Sequence, residues 1–346
     1  MTEILDAPDR LVERGVAATG RFRRPPREIN LLDIAGRGLG LWPRGVRDFR
    51  LKEWQHIAVV TRTHFLALAV ANPKVLGVSW VYAFERSSGK LVEHSRKASP
   101  GRAIVSRDLW NGECAFARDG YRVAIHNRLA EKKHEVDLDV SSRGAERIAA
   151  RFSIAHDMDL VPPLVVSLPL GGPRVMYSVK APCPVTGDIS VGDQRVVLDP
   201  RTDFALLDAH HAYYPFRTRW KWATFAGRDA SGKLLGANLT HNVIEDDDVH
   251  NENCIWHGAT MSALSAARFD VPSDILQPWR IRTSDGRADL TFTPEGLRSE
   301  TVDLKLFVSW YQAPFGTFAG KLTGEDGCVH EVRNLYGICE HHRVTW

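Results

Sequence analysis

Residues 249–258 read VHNENCIWHG and bring together side chains that exchange protons or form hydrogen bonds. The segment has the pattern of a β-strand that is just beginning, in which Glu252, Cys254 and Trp256 point to one face and the intervening residues to the other. Buried polar groups need hydrogen-bond partners, so polar side chains on both faces are costly in an ordinary core and favourable beside a ligand. The segment therefore predicts a ligand cavity. The alternative is an acidic turn that leads into an edge strand, with asparagines that cap loops.

Acid–base chemistry is the reaction type that these residues favour. In an apolar cavity lined by tryptophan, Glu252 would keep its proton more readily than in water and deliver it near neutral pH, so we predict that it is the proton donor. Glu340 and His341, close to the C-terminus, are predicted to complete the catalytic set. The predicted ligand-binding residues are Asn251, Asn253, Trp256, Tyr214, Trp222, Asn238 and His241. The alternative role for Glu252 is a structural ion pair with one of the many arginines.

A metal centre is a further alternative, because residues 241–257 and 340–342 include enough histidines and carboxylates to bind zinc or iron. Only His241 and Glu245 have a spacing that places them on one face. Nucleophilic catalysis is not favoured, since the sequence has no G-x-S-x-G motif and nothing beside Cys254 would activate its thiol. We therefore expect no cofactor.

The composition is that of a globular protein: 346 residues, 44% hydrophobic and 25% charged. Lys and Arg number 45 against 42 Asp and Glu, and this small excess gives no reason to expect a nucleic-acid partner. No apolar run approaches the length of a membrane span, and the N-terminus lacks the pattern of a secretory signal, so we expect a cytoplasmic protein. The five cysteines are scattered and form neither a disulfide framework nor a zinc motif.

Short runs rich in Val, Ile, Trp, Tyr and Phe, separated by turn residues, extend over most of the chain and predict antiparallel strands. Helical periodicity is limited to one short N-terminal helix that Asp9 would cap. The predicted fold class is all-β, with two tandem antiparallel barrels or sandwiches after a short helical extension. We expect the extension at residues 1–35, the first β-domain at 36–199 and the second, which carries the candidate site, at 200–346.

Two pairs of segments indicate that the halves of the chain are copies of each other. Residues 80–92 resemble residues 222–235, apart from one insertion. Residues 119–138 align without a gap on residues 285–304, at a constant offset of 166 positions (285 − 119). Each copy predicts turn, strand, turn and strand, and hence a β-hairpin at equivalent places in both halves.

A series of motifs in the second half resembles one protein family. The motifs are Asn251-Glu252-Asn253 with Trp256, Pro278-Trp279 with Asp285-Gly286, Asp289-Leu290 with Phe292 and Pro294, then Ser309, Gln312, Phe315-Gly316 and Phe318-Ala319-Gly320, and finally Gly337, Glu340, His341 or His342, and Trp346. Together with Trp54 and residues 20–25, they resemble the family called domain of unknown function 2804 over nearly the whole chain. This resemblance implies no established activity.

A more distant resemblance, based on architecture and on Trp and Glu content, is to proteins built from two lipocalin-like barrels, among them carotenoid hydratases and pericyclic cyclases. It implies a cavity for an apolar ligand and acid catalysis. The predicted function is therefore a cofactor-free hydratase, isomerase or cyclase that acts on a hydrophobic small molecule. A protein that binds such a molecule without chemistry is the first alternative, and a metal-dependent enzyme is the second. The substrate and the oligomeric state stay open.

Overall fold

The computed structural model describes residues 3–36, 38–305 and 307–346. Strands make up 61% of the protein, and the described residues form a single α-helix, Arg44–Arg50. The prediction of an all-β protein with two large barrel-like sheets is confirmed.

The chain divides into two compact units. We call Ile4–Asp159 with Val165–Tyr214 the N-terminal unit, and Leu160–Leu164 with Pro215–Trp346 the C-terminal unit. The strand Phe204–Ala212 lies beyond the predicted boundary at residue 199 and pairs within the sheet of the N-terminal unit.

Seventeen strands precede residue 213 in the described residues, and most pair antiparallel with their neighbours. They are β1 (Ile4–Leu5), β2 (Val12–Glu13), β3 (Val16–Ala17), β4 (Gly20–Phe22), β5 (Lys52–Val60), β6 (His64–Asn72), β7 (Gly77–Glu85), β8 (Lys90–Ala98), β9 (Ala103–Ile104), β10 (Glu113–Arg118), β11 (Tyr121–Arg128), β12 (Lys133–Ser142), β13 (Ala145–Ala155), β14 (Leu164–Pro169), β15 (Val175–Val191), β16 (Gln194–Leu198) and β17 (Phe204–Ala212). Short 3-10 helices occur at Leu31–Asp33, Gly38–Leu41, Pro100–Arg102 and Leu129–Glu131.

Hydrogen bonds order the main sheet of the N-terminal unit as β8-β7-β6-β5-β17-β15-β13-β12-β11-β10-β9. Strands β5 and β17 are neighbours, with Trp54 directly opposite His210. The sheet curls back on itself, since Asn72 in β6 donates a hydrogen bond to the Ala103 carbonyl in β9 (3.3 Å). Side chains alternate along a strand, so Gln55, which bonds across the barrel to β11, points inwards and Trp54 points outwards.

Nine strands follow residue 214 in the part of the chain that the structure describes, and they form the sheet of the C-terminal unit. They are β18 (Arg217–Arg228), β19 (Leu234–His241), β20 (Cys254–His257), β21 (Thr260–Ala263), β22 (Ala267–Asp270), β23 (Trp279–Thr283), β24 (Ala288–Asp303), β25 (Val308–Thr323) and β26 (Val329–Thr345). Their order in the sheet is β21-β20-β19-β18-β26-β25-β24-β23-β22. In each of the two strand orders given, the strand that comes first in the chain lies beside the one that comes last, β5 beside β17 and β18 beside β26.

One face of this second sheet carries the hydrophobic core of the C-terminal unit. The Phe318 ring lies 4.4 Å from the Phe225 ring and 4.7 Å from the Phe292 ring, measured between centroids. All three rings are fully buried, and burial of each stabilises the unit by about 1.5–3 kcal/mol relative to exposure. On β18 and β26 every second residue faces away from this core.

The prediction of a short helix from Asp9 onwards is wrong. Val12–Glu13 and Val16–Ala17 instead pair as a small hairpin, and Arg14 and Gly15 between them have φ angles of 49° and 81°. Positive φ at both central residues is the geometry of a tight hairpin turn, which glycine adopts without strain. Gly15 therefore turns a hairpin, where the sequence pattern indicated the end of a helix.

The sequence repeats are reproduced only in part. Both Asp-Gly pairs, at 119–120 and 285–286, lie in turns between antiparallel strands, β10 and β11 in one unit and β23 and β24 in the other. The copies then diverge, because a 3-10 turn separates β11 from β12 whereas β24 continues to Asp303. The other repeat matches β7 and β8 with β18 and β19, which occupy different places in the two sheets.

Candidate functional site

The side chains of Asn251 and Asn253 hold the backbone before β20 in place. Asn251 Nδ2 donates to the Asp247 carbonyl (2.9 Å), and its Oδ1 accepts from the Asn253 amide (2.9 Å). Asn253 Oδ1 accepts from the Thr240 amide (2.6 Å), and its Nδ2 donates to the Ser265 carbonyl (2.8 Å). Both asparagines are buried and satisfy backbone groups that would otherwise lack partners.

Glu252, between the two asparagines, is 3% exposed. Its carbonyl oxygen accepts from Asn238 Nδ2 (2.5 Å), and Asn238 Oδ1 accepts from Trp222 Nε1 (2.7 Å). Trp256 is also buried, and its Nε1 donates to the Pro162 carbonyl (2.8 Å). The structure thus brings Glu252, Asn238 and Trp222 into one hydrogen-bonded chain through the backbone of Glu252.

His341 and His241 lie on the core side of the second sheet. Lys221 in β18 stands opposite both histidines, so the three side chains form one row across β19, β18 and β26. Burial, together with the charges of Arg343 and Lys221, lowers the pKa of His341 to about 4, which leaves its imidazole neutral at pH 7. His241 Nδ1 lies 3.1 Å from Asp247 Oδ2. His341 points away from the carboxylate of the residue before it.

Glu340 faces the opposite side of β26, where two neutral groups donate to its carboxylate. Trp220 Nε1 donates to Oε2 (2.8 Å), and the Tyr311 hydroxyl donates to Oε1 (2.6 Å). Hydrogen bonds to both oxygens stabilise the ionised carboxylate. The Arg298 guanidinium lies over the Tyr311 ring, 5.4 Å from its centroid, and pairs with Glu300 at 2.7 Å. Glu340 is buried, whereas Trp220 and Tyr311 are half-buried.

His342 lies on the same face as that carboxylate, two residues further along β26. Its Nε2 is 2.8 Å from Ser309 Oγ, and its ring meets the edges of Trp220 and Tyr311 at 4.2 and 5.2 Å. Burial, with a smaller contribution from His341, lowers the pKa of His342 to about 3, so the imidazole is neutral at pH 7. Its Nδ1 is buried and has no hydrogen-bond partner among the described residues. A buried atom of this kind is available to a polar ligand group.

We call Trp220, Ser309, Tyr311, Glu340 and His342 the C-terminal cluster. The cluster contains a carboxylate that accepts a hydrogen bond from a phenol, and it also contains a neutral imidazole. General acid–base catalysis uses groups of these kinds. The half-buried Trp220 and Tyr311 rings add an apolar wall against which an uncharged molecule can pack.

Of the predicted catalytic residues, only Glu340 belongs to the C-terminal cluster. Tyr214 lies in the N-terminal unit, where its hydroxyl is 2.8 Å from His210 Nε2. Trp220 and His342 were not predicted to lie together, although the sequence contains a signal for it. Glu340 and His342 are two residues apart, so on a strand they share a face from which His341 is excluded.

Among the described residues, no group of three or more His, Cys, Asp or Glu side chains is arranged to hold a metal ion. None of the helices that these residues form has the length and apolar character of a membrane span.

Comparison with known proteins gives a family and a fold. The model of the family described as "Domain of unknown function (DUF2804)" matches residues 2–346. No curated protein matches the sequence. Among solved structures, CghA is similar with a TM-score of 0.50 and 10% identity over 84% of this chain and 87% of that one. CghA with Sch210972 gives the same score and identity over 85% and 88%. Kievitone hydratase from Nectria haematococca gives a TM-score of 0.46 and 9% identity over 85% and 89%.

Proposed function

The chain belongs to the DUF2804 family, and we propose that it is an acid–base enzyme, a hydratase, isomerase or cyclase that acts on a hydrophobic small molecule without a cofactor. The observation that carries this proposal is the C-terminal cluster, in which the Glu340 carboxylate lies 2.6 Å from the Tyr311 hydroxyl beside a neutral His342. The similar fold of CghA, which has been crystallised with the small molecule Sch210972, supports the choice of a small organic ligand.

The proton-transfer groups in this proposal are Glu340 and Tyr311. In a hydration, Glu340 takes a proton from the attacking water while Tyr311 delivers its proton to the carbon at the other end of a polarised double bond. The proton on Glu340 then passes to the Tyr311 oxygen along their hydrogen bond, which restores both groups. An isomerisation follows the same cycle, with the first proton taken from a substrate carbon instead of water.

His342 and Ser309 orient the substrate. The Ser309 hydroxyl donates to His342 Nε2, and Nδ1–H then donates to a carbonyl oxygen of the substrate. A neutral imidazole that donates in this way polarises the carbonyl without placing a full charge in a buried site.

Glu252 stays the alternative proton donor. It is buried, as its predicted role requires, and Asn238 and Trp222 fix its backbone. Because Glu252 and Glu340 are separate side chains of the same unit, matched glutamine variants distinguish them.

A protein that binds the molecule without chemistry is the second candidate function. It is favoured by the fact that both oxygens of Glu340 already accept protein hydrogen bonds, which suits a carboxylate that only orients its neighbours.

To test this proposal, small-molecule extracts are incubated with the protein. Mass spectrometry then detects compounds that have gained or lost one water molecule, or new isomers. The wild type is expected to form product, and Glu340→Gln to lower the rate about 100-fold or more, because general acid–base groups contribute about 10²–10⁴-fold. Glu331→Gln, at an exposed position bonded to Arg333, is the control for the substitution itself. Full activity of Glu340→Gln contradicts the role of Glu340, and if Glu252→Gln alone is inactive, Glu252 is the donor. A ligand that copurifies and is never converted identifies a binding protein.

A further inference from the structure

The N-terminal unit carries a second copy of the arrangement found in the C-terminal cluster. Asp208 and His210 lie two residues apart on one face of β17, as the carboxylate and the histidine do on β26. Trp54 in β5 stands opposite His210, just as Trp220 in β18 stands opposite His342. Trp54 Nε1 donates to Asp208 Oδ2 (3.2 Å), which reproduces the bond from indole to carboxylate. The two tryptophans are 166 positions apart (220 − 54).

The copy in the N-terminal unit has a different partner for its carboxylate. Lys180 in β15 is directly opposite Asp208, and its Nζ donates to Oδ1 (2.7 Å). Both side chains are buried, with 5% of each residue exposed. Burial raises the pKa of Asp208, but the opposing interactions, of which the charge of Lys180 is the largest, hold the pKa below its ordinary value. The pair is therefore ionised and has no net charge.

Three nearly parallel rings line this copy. The His210 ring stacks on Trp54 at 4.1 Å with an interplanar angle of 4°, and Tyr214 lies parallel to His210 at 5.6 Å. The Tyr214 hydroxyl is 2.8 Å from His210 Nε2 and 3.2 Å from Met176 Sδ. Trp54 is half-buried, so part of its indole surface is open to contact.

Two buried polar atoms in this copy have no hydrogen-bond partner among the described residues. One is His210 Nδ1 and the other is Ser178 Oγ, which belongs to the residue opposite His210 in β15. Burial lowers the pKa of His210 well below its ordinary value, so its imidazole is neutral. An unsatisfied buried polar atom destabilises the folded protein, and a bound group that pairs with both atoms recovers that free energy.

We propose that Trp54, Ser178, Lys180, Asp208 and His210, here called the N-terminal cluster, form a second binding site for an uncharged planar molecule that bears a hydroxyl group, such as a phenol. The neutral ion pair and the neutral imidazole provide no net charge that would attract an ion. A hydroxyl donates and accepts at once, so a single group satisfies both His210 Nδ1 and Ser178 Oγ. The stacked rings provide the apolar surface that a planar ligand needs. This inference does not depend on the proposed function, since it rests on contacts within the N-terminal unit.

The test uses full-length protein labelled with ¹⁵N-histidine and titrated with phenol, with benzene and benzoate as matched probes. The His210 ring resonances, assigned from their loss in His210→Phe, are expected to shift and saturate with phenol. Benzene is expected to bind about 10-fold more weakly or worse, because loss of one buried hydrogen bond costs about 1.4 kcal/mol. Benzoate is expected to bind more weakly than phenol, since it brings a charge into a neutral buried site.

Ser178→Ala is the second variant, chosen because removal of one oxygen leaves the ring stack intact. It is expected to weaken phenol binding about 10-fold, whereas Ser87→Ala, at an exposed hydroxyl, leaves it unchanged. The proposal is overturned if the His210 resonances do not respond to phenol, if benzene or benzoate binds as well as phenol, or if Ser178→Ala binds phenol with wild-type affinity. None of these results bears on Glu340, so the two proposals fail independently.

Discussion

The two clusters share a tryptophan on the first strand and a carboxylate and a histidine on the last strand of their barrel-like sheets, yet they differ in the group that faces the carboxylate. Asp208 is paired with the Lys180 ammonium, and Glu340 accepts from the Tyr311 hydroxyl. A carboxylate that faces a buried ammonium must stay ionised, since its protonation would leave the cation without compensation. A carboxylate that accepts a hydrogen bond from a phenol can gain or lose a proton without leaving a buried cation unpaired. In the two proposals, the same arrangement of side chains is a fixed neutral binding site in one unit and a proton-transfer site in the other.

The largest expected difference between the clusters is in stability after removal of the negative charge. Asp208→Asn leaves Lys180 buried without its anion and is expected to lower the free energy of unfolding by about 3–5 kcal/mol. Glu340→Gln removes hydrogen bonds to a charged group and is expected to cost about 1.5–3 kcal/mol. Urea unfolding followed by fluorescence and circular dichroism measures both.

The matched control for this comparison is Lys180→Met combined with Asp208→Leu, which removes both charges and is expected to recover most of the loss. Equal destabilisation by Asp208→Asn and Glu340→Gln would show that the two carboxylates have equivalent partners.

The pH dependence of stability is expected to be alike in the two clusters, because both histidines are buried and neutral. The pKa of His342 is about 3 in the folded protein, against about 6.5 in an unfolded chain. The unfolded state thus binds a proton first as the pH falls, and His342 lowers the free energy of unfolding by about 1.4 kcal/mol per pH unit between about pH 6.5 and 3. Burial also lowers the pKa of His210, so this residue changes stability in the same direction. His342→Asn and His210→Asn should each lower by about one the number of protons that are taken up on unfolding at acid pH. Urea unfolding at several pH values measures this number from the slope of the free energy of unfolding against pH. A slope that neither variant changes would mean that these histidines are protonated in the folded protein.

The smallest expected effect is that of Tyr311→Phe, which keeps the ring and removes only the hydroxyl. In the proposed cycle it is expected to lower turnover about 10-fold or more, because the carboxylate loses the group with which it exchanges its proton. Tyr214→Phe removes a tyrosine hydroxyl that contacts His210 of the N-terminal cluster and is expected to leave turnover unchanged. A Tyr311→Phe variant with full turnover would remove Tyr311 from the cycle and leave Glu340 without a proton relay.

The strand content and the two barrel-like sheets could be predicted from alternation and turn residues, because those patterns are local. Membership of Glu340 in a polar cluster could also be predicted. To choose between His341 and His342, one must know which face of the strand carries the cluster, and the sequence does not show this. Tyr311 could not be found, since it reaches the cluster through the cross-strand register of β25 and β26. Ser309 belongs to the motifs of the family resemblance, but its contact with His342 depends on the same pair of strands. The polar density around Asn251 and Asn253 proved to include backbone capping, the alternative that was left open.

The most direct test of proton transfer at the C-terminal cluster is to run the reaction in D₂O and examine the product after its return to H₂O. A group that exchanges with solvent, such as Tyr311 or Glu340, delivers deuterium to carbon, so the product is expected to retain one deuterium in a carbon–hydrogen bond. The amount of labelled product formed per unit time should fall with turnover in Glu340→Gln. A product formed at the wild-type rate without any carbon-bound deuterium would contradict an acid–base reaction at this cluster.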